Sequence, residues 1–530
     1  MIPRHAKITK AIPAAIFLSV AAVLLAMHGQ RMVMTNDEGI VLESAQRMAA
    51  GGRLYVDFFG YMSPGSYWLQ ALVFKLLGVA LWTGRLIVIL DFALQCALVY
   101  WLTARLAASA SSWRAATAVT LTFAGFQVAD PAFLTSAHRW DSATLALAGL
   151  CLAVSGAPDG RRWKWILSGA ALAAAVWCTP SMLILAIVVM LWLAVSRERR
   201  GDLVPLLGGA AAIGLAGIAA LMSTGSVGAF IAQMAWLRQN YSGVNVMPYG
   251  SIIGGWKGLL DGGRGISETT VRLILIACVA LPAILPPATI LLGGVVLWRR
   301  LRREEVREQR DVLILLLLSV AALVITTFPR SDVMHLAFIA ALPYVLVAAA
   351  LASLLPARAA SWLSIVSILL ATVFASNYVR GWRESVPVAS PAGILQVARD
   401  QAPGVQRLMQ QVHPGDSLFV YPYSPVQYVL TQTRNPTRFG YLQPGMMTRS
   451  QEVEALGELE ARPPAWLMYM PLSREEVLRV FPNGAGRDWH FAELESWMQQ
   501  NYRPVEGPAV SVGGYRLWQR VPTPVAAALQ

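Results

Sequence analysis

The chain has 530 residues, of which 56% are hydrophobic and only 14% charged. A soluble domain carries about 25% charged residues, so this composition excludes a wholly water-facing surface and leaves an apolar excess to face lipid. The formal net charge is +13, but the Lys and Arg residues cluster in short segments between apolar runs, the positive-inside pattern, and no basic stripe interleaved with aromatics suggests a nucleic-acid partner.

A membrane span needs about 20 apolar residues. Taken in chain order, the apolar runs predict about eleven spans, over 12–30, 82–104, 115–130, 142–157, 165–178, 180–196, 203–222, 271–298, 312–328, 335–355 and 361–379. The first has a basic start but no clean small-x-small cleavage site, and reads as an uncleaved span rather than a signal peptide. Pro180 interrupts 165–196, which reads as a tight hairpin of two short spans. The cysteines, Cys96, Cys151, Cys178 and Cys278, lie inside apolar runs without metal-ligand or disulfide spacing and read as small buried hydrophobes.

The basic clusters set the orientation. Arg4, Lys7 and Lys10 precede the first span; Arg105 and Arg114, then Arg161, Arg162 and Lys164, then Arg197, Arg199 and Arg200, then the run WRRLRREEVREQR over 298–310, and finally Arg358 follow. With simple alternation they all fall on one side, which places the N-terminus in the cytoplasm. Loops 31–81, 131–141, 223–270 and 329–335 then lie on the outer face. Within the first, 66–78 is apolar and aromatic but too short to span, and reads as an interfacial helix.

After about residue 380 the charges, Pro, Gln and Tyr return. DSLFVYPY (416–423), AWLMYM (465–470) and YRLWQRV (515–521) read as strands; 392–411, 449–461 and 489–502 read as helices, the middle one opened by a capping-box pattern at Thr448 and Gln451. The expected fold is therefore a polytopic α-helical membrane domain over 1–380, followed over 381–530 by an extracytoplasmic α/β domain.

Three polar clusters fall on the outer face. Asn36-Asp37-Glu38-Gly39 puts two carboxylates just beyond a span, where partial desolvation raises a carboxyl pKa and improves it as a base; the same residues also suit a helix N-cap. Ala137-His138-Arg139-Trp140-Asp141 stands where the third span gives way to the fourth, as a functional polar group or as that span's cap. Pro329-Arg330-Ser331-Asp332-Val333-Met334-His335 offers a planar guanidinium for phosphate oxygens and a histidine donor, or a capped helix with a snorkelling arginine. Chemistry on this face has little access to ATP or nucleotide-sugars, so a membrane-anchored activated donor is the substrate it suggests.

The stretch 37–105 resembles the integral-membrane glycosyltransferases of the C-type fold, in particular the dolichyl-phosphate-mannose–protein mannosyltransferase superfamily and its bacterial aminoarabinose transferases. The residues that carry the resemblance are the acidic pair, Ala45, Met48, Gly51-Gly52, Tyr55 and Asp57, then Pro64-x-x-Tyr67-Trp68-Leu69, Lys75-x-x-Gly78 and Gly84-Arg85-Leu86, with Arg330-Ser331-Asp332-x-x-His335 further on. The resemblance implies an inverting glycosyltransferase of the cell (inner) membrane, moving a hexosyl or pentosyl group from a polyprenyl-phosphate donor to a hydroxyl on a lipid, glycan or protein. It assigns Asp37 as catalytic base and Asp141 as a second acid. Arg330, His335 and Arg139 would hold the donor phosphate. Tyr61, Tyr67 and Trp68 would line a lipid or acceptor groove. Glu38 and Asp141 would orient the base, or hold a divalent cation (Mg or Mn) in members that use one. Where the aminoarabinose transferases carry Lys-Pro-Pro, this chain has Met62-Ser63-Pro64, which argues against the same sugar or acceptor.

The alternative is a transporter or lipid flippase of envelope glycan biosynthesis without catalysis. It predicts charges deep in spans and repeated halves; Asp91 is the main mid-span charge, and no internal repeat is visible.

Overall fold

The computed structural model describes residues 11–33, 36–107, 112–156, 161–196, 198–260, 266–302, 307–443, 445–484, 491–506 and 511–521. Arg4, Lys7, Lys10 and Arg197, used above for orientation, lie outside the described residues, as does 303–306 of the basic run.

The N-terminal body is helical: α1 (Ala11–His28), α2 (Asn36–Ala49), α3 (Pro64–Leu77), α4 (Leu81–Leu106), α5 (Ser112–Gln127), α6 (His138–Gly156), α7 (Arg162–Cys178), α8 (Leu183–Val195), α9 (Leu203–Ser223), α10 (Val227–Val244), α11 (Gly255–Leu260), α12 (Ile266–Arg302), α13 (Arg307–Thr326), α14 (Val333–Phe338), α15 (Ala341–Leu354) and α16 (Ala357–Arg383). Each predicted apolar run falls on a helix. Among the described residues, six helices are long and apolar enough to cross a membrane, and the segments Pro180–Val195 and Ala341–Leu354 are apolar but shorter. The run predicted as one span over 335–355 is divided into α14 and α15.

The helices pack in a chain of neighbours, α1 on α4, α4 on α5 and α6, α6 on α7, and α7 on α9. Small residues set the closest of these crossings. A Cβ on Gly169 would lie 1.9 Å from the Leu206 carbonyl oxygen, and one on Gly209 would lie 1.9 Å from that of Ile166, so α7 and α9 touch backbone to backbone. Helix α3 has the amphipathic form expected of an interfacial element. Tyr67, Gln70, Ala71 and Phe74 are buried on one face, while Leu69, Leu72, Leu76 and Leu77 stay exposed on the other. Gly78, at φ 83°, ends it, and the Thr83 hydroxyl closes the turn into α4 by donating to the Gly78 carbonyl at 2.8 Å and accepting from the Ala80 N–H at 3.0 Å.

The C-terminal part holds β1 (Ser385–Ser390), β2 (Gly393–Ala398), α17 (Ala402–Gln411), β3 (Leu418–Tyr421), α18 (Val426–Thr431), α19 (Arg449–Ala461), β4 (Trp466–Tyr469), α20 (Arg474–Val480), α21 (Ala492–Asn501), β5 (Tyr502–Pro504), β6 (Ser511–Val512) and β7 (Tyr515–Arg520). The three predicted strands are present, and the Thr448–Gln451 capping box opens α19. The helix predicted over 392–411 is corrected: only 402–411 is helical. In Gly393–Ala398 Leu395 and Val397 alternate inward, a period of two, and the segment pairs antiparallel with β1. The sheet runs β3-β4-β7-β5, with β3 parallel to β4, β7 antiparallel to β4 and β5, and β6 added to β7.

One face of this sheet shares a core with the first long loop. Phe58, Phe59, Tyr61 and Tyr67 pack in one cluster with Phe419, Tyr421, Phe439 and Tyr441. Main-chain and side-chain hydrogen bonds stitch the parts together: Phe59 N–H to the Arg438 carbonyl (2.9 Å), Gln432 Nε2 to the Val79 carbonyl (3.0 Å) and Arg47 Nη1 to the Thr437 carbonyl (3.0 Å). Gly39 of α2 lies so close to α18 that a Cβ there would sit 2.0 Å from the Val426 nitrogen.

The glycine crossing makes a one-residue contrast testable. Gly209→Ala is expected to force α7 and α9 apart and destabilise the protein by about 1–3 kcal/mol. Gly208→Ala, where no atom lies within 4 Å, should leave stability unchanged. Thermal unfolding in detergent or nanodiscs checks both.

Candidate active site

The site is built around the start of α2. Glu38 is fully buried and accepts two hydrogen bonds from Arg85 of α4, Nε to Oε1 at 2.7 Å and Nη2 to Oε2 at 2.9 Å. Arg85 Nη1 also donates to the His28 carbonyl at 3.0 Å and to the Arg31 carbonyl. The pair thus ties together the end of α1, the start of α2 and the top of α4. His28 in turn bonds the Leu134 carbonyl through Nε2 at 2.6 Å, which adds the segment before α6 to the same knot.

Asp37, one residue earlier, turns elsewhere. Its side chain is accessible to solvent, yet enough protein lies around it to desolvate the carboxyl, as at the mouth of a recess. Burial pushes its carboxyl above the ordinary carboxylate range; the Arg330 guanidinium partly offsets this, and the Asp332 charge adds to it. Tyr61, Tyr241, Tyr423 and Tyr441 stand within electrostatic reach of it. Three of them form a continuous aromatic wall with the fourth: Tyr241 to Tyr61 at 5.5 Å, Tyr61 to Tyr441 at 5.2 Å and Tyr441 to Tyr423 at 5.2 Å between ring centroids.

Arg330 is positioned by its backbone and by its own hydrogen bonds. The segment after α10 pairs with it, Met247 N–H donating to the Pro329 carbonyl at 3.0 Å and Gly250 N–H to the Ser331 carbonyl at 2.9 Å. The guanidinium donates from Nε to Asp332 Oδ2 at 2.8 Å, and from Nη1 to Asn245 Oδ1 at 3.2 Å and to the Val480 carbonyl at 3.3 Å; it rests 5.4 Å above the Phe481 ring. Its Nη2 has no partner among the described residues. Asp332 caps α14, accepting from the His335 N–H at 2.9 Å and meeting His335 Nδ1 at 2.7 Å. Burial pushes the Asp332 carboxyl up, but His335 and Arg330 together hold it well below the usual carboxylate range. It is therefore an anion at neutral pH, and it fixes the orientation of both cationic or donor groups.

Arg139, in the first turn of α6, donates from Nη1 to the Thr326 carbonyl at 3.2 Å and approaches the Tyr241 hydroxyl. Asp37, Arg330, His335 and Arg139 are thus brought together around Tyr241 and Asp332. Asp141 does not join them. It lies against Asp91 of α4 and near Ser66 of α3, beside a cavity of ≈ 10 Å³. Tyr67 is fully buried, and its hydroxyl accepts from the Met62 N–H at 3.1 Å. Tyr61 is buried in the aromatic wall, and Trp68 is half-buried against Trp177 at 5.5 Å. The residues suggested for a divalent cation do not fit one: Glu38 is taken up by Arg85, Asp141 faces Asp91, and among the described residues no group of three or more His, Cys, Asp or Glu side chains stands close enough to hold a metal.

The sequence assigns no role to Tyr241, Asn245, Tyr423 or Tyr441, and Asp332 enters there only as part of the Arg330-Ser331-Asp332-x-x-His335 element, without a role. Of these, only Asp332 carried a signal, its Asp-x-x-His spacing, which is that of an N-cap carboxylate facing a side chain one turn on.

No protein-family model matches the chain, and no curated protein matches it in sequence. Among solved structures it is similar to ArnT from Cupriavidus metallidurans in the apo state, with a TM-score of 0.50 and 14% identity over 96% of this chain and 97% of that one. It is also similar to the same protein bound to undecaprenyl phosphate, with a TM-score of 0.49 and 14% identity over 96% and 97%. The oligosaccharyltransferase of Archaeoglobus fulgidus tethered to an acceptor peptide gives a TM-score of 0.44 and 12% identity over 92% and 72%. At these identities the likeness speaks for the fold: the chain has the C-type fold of polytopic membrane glycosyltransferases.

The buried pair that orients α2 can be tested directly. Arg85→Met leaves Glu38 buried and unpaired and is expected to cost about 3–5 kcal/mol, whereas Glu38→Leu with Arg85→Met together should recover most of that loss. Thermal unfolding of the two variants beside the wild type reads the difference.

Proposed function

We propose that the protein is an inverting glycosyltransferase that moves a sugar from a polyprenyl-phosphate donor to an acceptor hydroxyl at the extracytoplasmic face of the cell (inner) membrane. The observation that carries this reading is the recess itself. A carboxyl with a raised pKa lies within electrostatic reach of a guanidinium whose Nη2 has no partner among the described residues, with a second arginine nearby. ArnT, which shares the fold in its apo state, has also been solved with undecaprenyl phosphate bound.

Asp37 serves as general base. It takes the proton of the acceptor hydroxyl as that oxygen bonds to the anomeric carbon. The bond from the anomeric carbon to the phosphate oxygen breaks on the opposite side, the electron pair leaves with the polyprenyl phosphate, and the configuration inverts. A phosphate leaves without an acid to protonate it, but its growing charge needs donors fixed in advance. Arg330 supplies Nη2, which has no partner among the described residues, and Arg139 supplies a further donor. His335 spends its Nδ1–H on Asp332 and, held neutral by burial, presents Nε2 as an acceptor and so does not donate to the phosphate. Asp332 holds Arg330 and His335 in place and so acts as a positioning residue. Glu38 positions α2 through Arg85 and does not reach the reacting atoms. A raised carboxyl pKa strengthens the base.

Three outcomes are expected from purified protein in nanodiscs supplied with a panel of polyprenyl-phosphate sugars. Asp37→Asn should lower donor turnover by about 10²–10⁴-fold while still binding the donor; unchanged turnover would place the base elsewhere. The pH–rate profile should fall on its acid side at a pH above the ordinary carboxylate range, because protonating Asp37 removes the base. Arg330→Gln takes away the charge that lowers the Asp37 pKa, so the acid limb should move to higher pH as the affinity for polyprenyl phosphate drops. A limb that stays in place would separate Arg330 from Asp37.

A further inference from the structure

A second cavity, of ≈ 530 Å³, opens on the C-terminal part. One wall is a face of the sheet. Tyr469 and Arg516 are paired across β4 and β7, and Trp518 projects from the same face two residues along β7. Tyr469 stacks on Tyr421 with centroids 6.0 Å apart and rings inclined by only 10°, and meets Trp518 edge-on at 5.3 Å. The opposite wall is α20, which presents Glu476 and Val480; Tyr423 closes the end.

The cavity adjoins the recess that holds Asp37. The Val480 carbonyl in its wall accepts from Arg330 at 3.3 Å, and the next residue, Phe481, lies under the same guanidinium. Tyr423 lines the cavity and also packs on Tyr441 of the aromatic wall around Asp37. Tyr423 therefore stands between the cavity and Asp37, whose charge it feels.

The chemistry of the lining selects among acceptors. Aromatic ring faces carry a negative quadrupole that attracts the weakly positive C–H face of a pyranose, so a Tyr–Trp platform suits a sugar ring. One carboxylate and one guanidinium cancel in charge, which disfavours a polyanionic phosphorylated head group. Among the described residues Arg516 forms no hydrogen bond or ion pair, so its donors are available to hydroxyls. The volume lies in the range of small-ligand sites and matches a few sugar units rather than a protein surface.

We propose that this cavity is the acceptor cleft and that the acceptor is an uncharged saccharide, stacked on Tyr469 and Trp518 and hydrogen-bonded by Arg516 and Glu476, with one hydroxyl directed past Tyr423 to Asp37. The proposal rests on the transferase reading above.

The test uses the full chain in nanodiscs and saturation-transfer NMR with chitotriose, maltotriose and mannotriose, beside a Ser/Thr-rich peptide. At least one trisaccharide should bind. Trp518→Leu and Arg516→Ala should each weaken that binding by about tenfold or more, equivalent to about 1.4 kcal/mol. Arg516 is exposed, so its variant keeps the test valid should Trp518→Leu misfold. Binding of undecaprenyl phosphate, measured on the same samples and on Arg330→Gln, separates the two readings. If the lipid phosphate binds through Arg330 but no trisaccharide binds, or trisaccharide binding ignores both cleft variants, or only the peptide binds, the cleft proposal is overturned while the donor reading stands. If a trisaccharide binds through Trp518 and Arg516 but no lipid phosphate binds, the donor reading fails and the cleft remains.

Discussion

The buried pair of Glu38 and Arg85 is the constraint on which the site depends. Both groups are almost completely withdrawn from solvent, where an unpaired charge is strongly destabilising. The pair is tolerable because it is bidentate and because Arg85 spends its remaining Nη1 donors on the carbonyls of His28 and Arg31. Those carbonyls lie at and just beyond the end of α1, where a helix leaves its last acceptors unsatisfied. One guanidinium thereby satisfies a helix terminus, neutralises a buried acid and fixes the angle at which α2 enters. Since a helical turn sends adjacent residues in different directions, anchoring Glu38 inward obliges Asp37 to face the recess.

A second constraint comes from the C-terminal part. Phe58, Phe59 and Tyr61 of the first long loop share a core with Phe419, Tyr421 and Tyr441, and Gly39 leaves no room between α2 and α18. The sheet therefore does not hang from the helical body as a separate appendage. It forms one side of the recess, and Arg330 reaches it directly through the Val480 carbonyl and the Phe481 ring. Any shift of α20 would be felt at the guanidinium, and any shift of α2 at Pro425 and Val426.

Local signals made much of this legible in the sequence. Continuous apolar runs located the helices, because burial in lipid demands length and hydropathy whatever the tertiary arrangement. The capping box at Thr448 and Gln451 and the three central strands were equally local. What the sequence concealed was pairing at a distance. Nothing near Glu38 indicates that its carboxylate is consumed by a residue 47 positions on, or that Asp141 faces Asp91 rather than Asp37. The strand 393–398 is hidden in the sequence because its partner β1 lies on the far side of a short turn, and a six-residue alternation is a weak signal beside the helix that follows. The tyrosines of the wall come from the first loop, α10 and the segments after β3, and aromatic residues scattered so widely carry no spacing that a sequence reading can use.

Asp332 shows how the arrangement divides its work. It is an acid close to the Asp37 recess, so it raises the Asp37 carboxyl pKa, yet it also binds Arg330, whose charge lowers it. The two effects oppose each other at Asp37, and the desolvation of the recess decides the balance in favour of a raised value. Asp332 itself is held ionised by His335 and Arg330, so the two acids of the recess are driven apart: one is held as an anion that orients Arg330 and His335, and the other has its carboxyl pKa raised by burial. Carboxyls with pKa values separated by their surroundings mark a division between structural and chemical roles. Here the division follows from hydrogen bonding. Asp332 receives donors from two side chains and a main-chain N–H, whereas no hydrogen bond to Asp37 is found among the described residues.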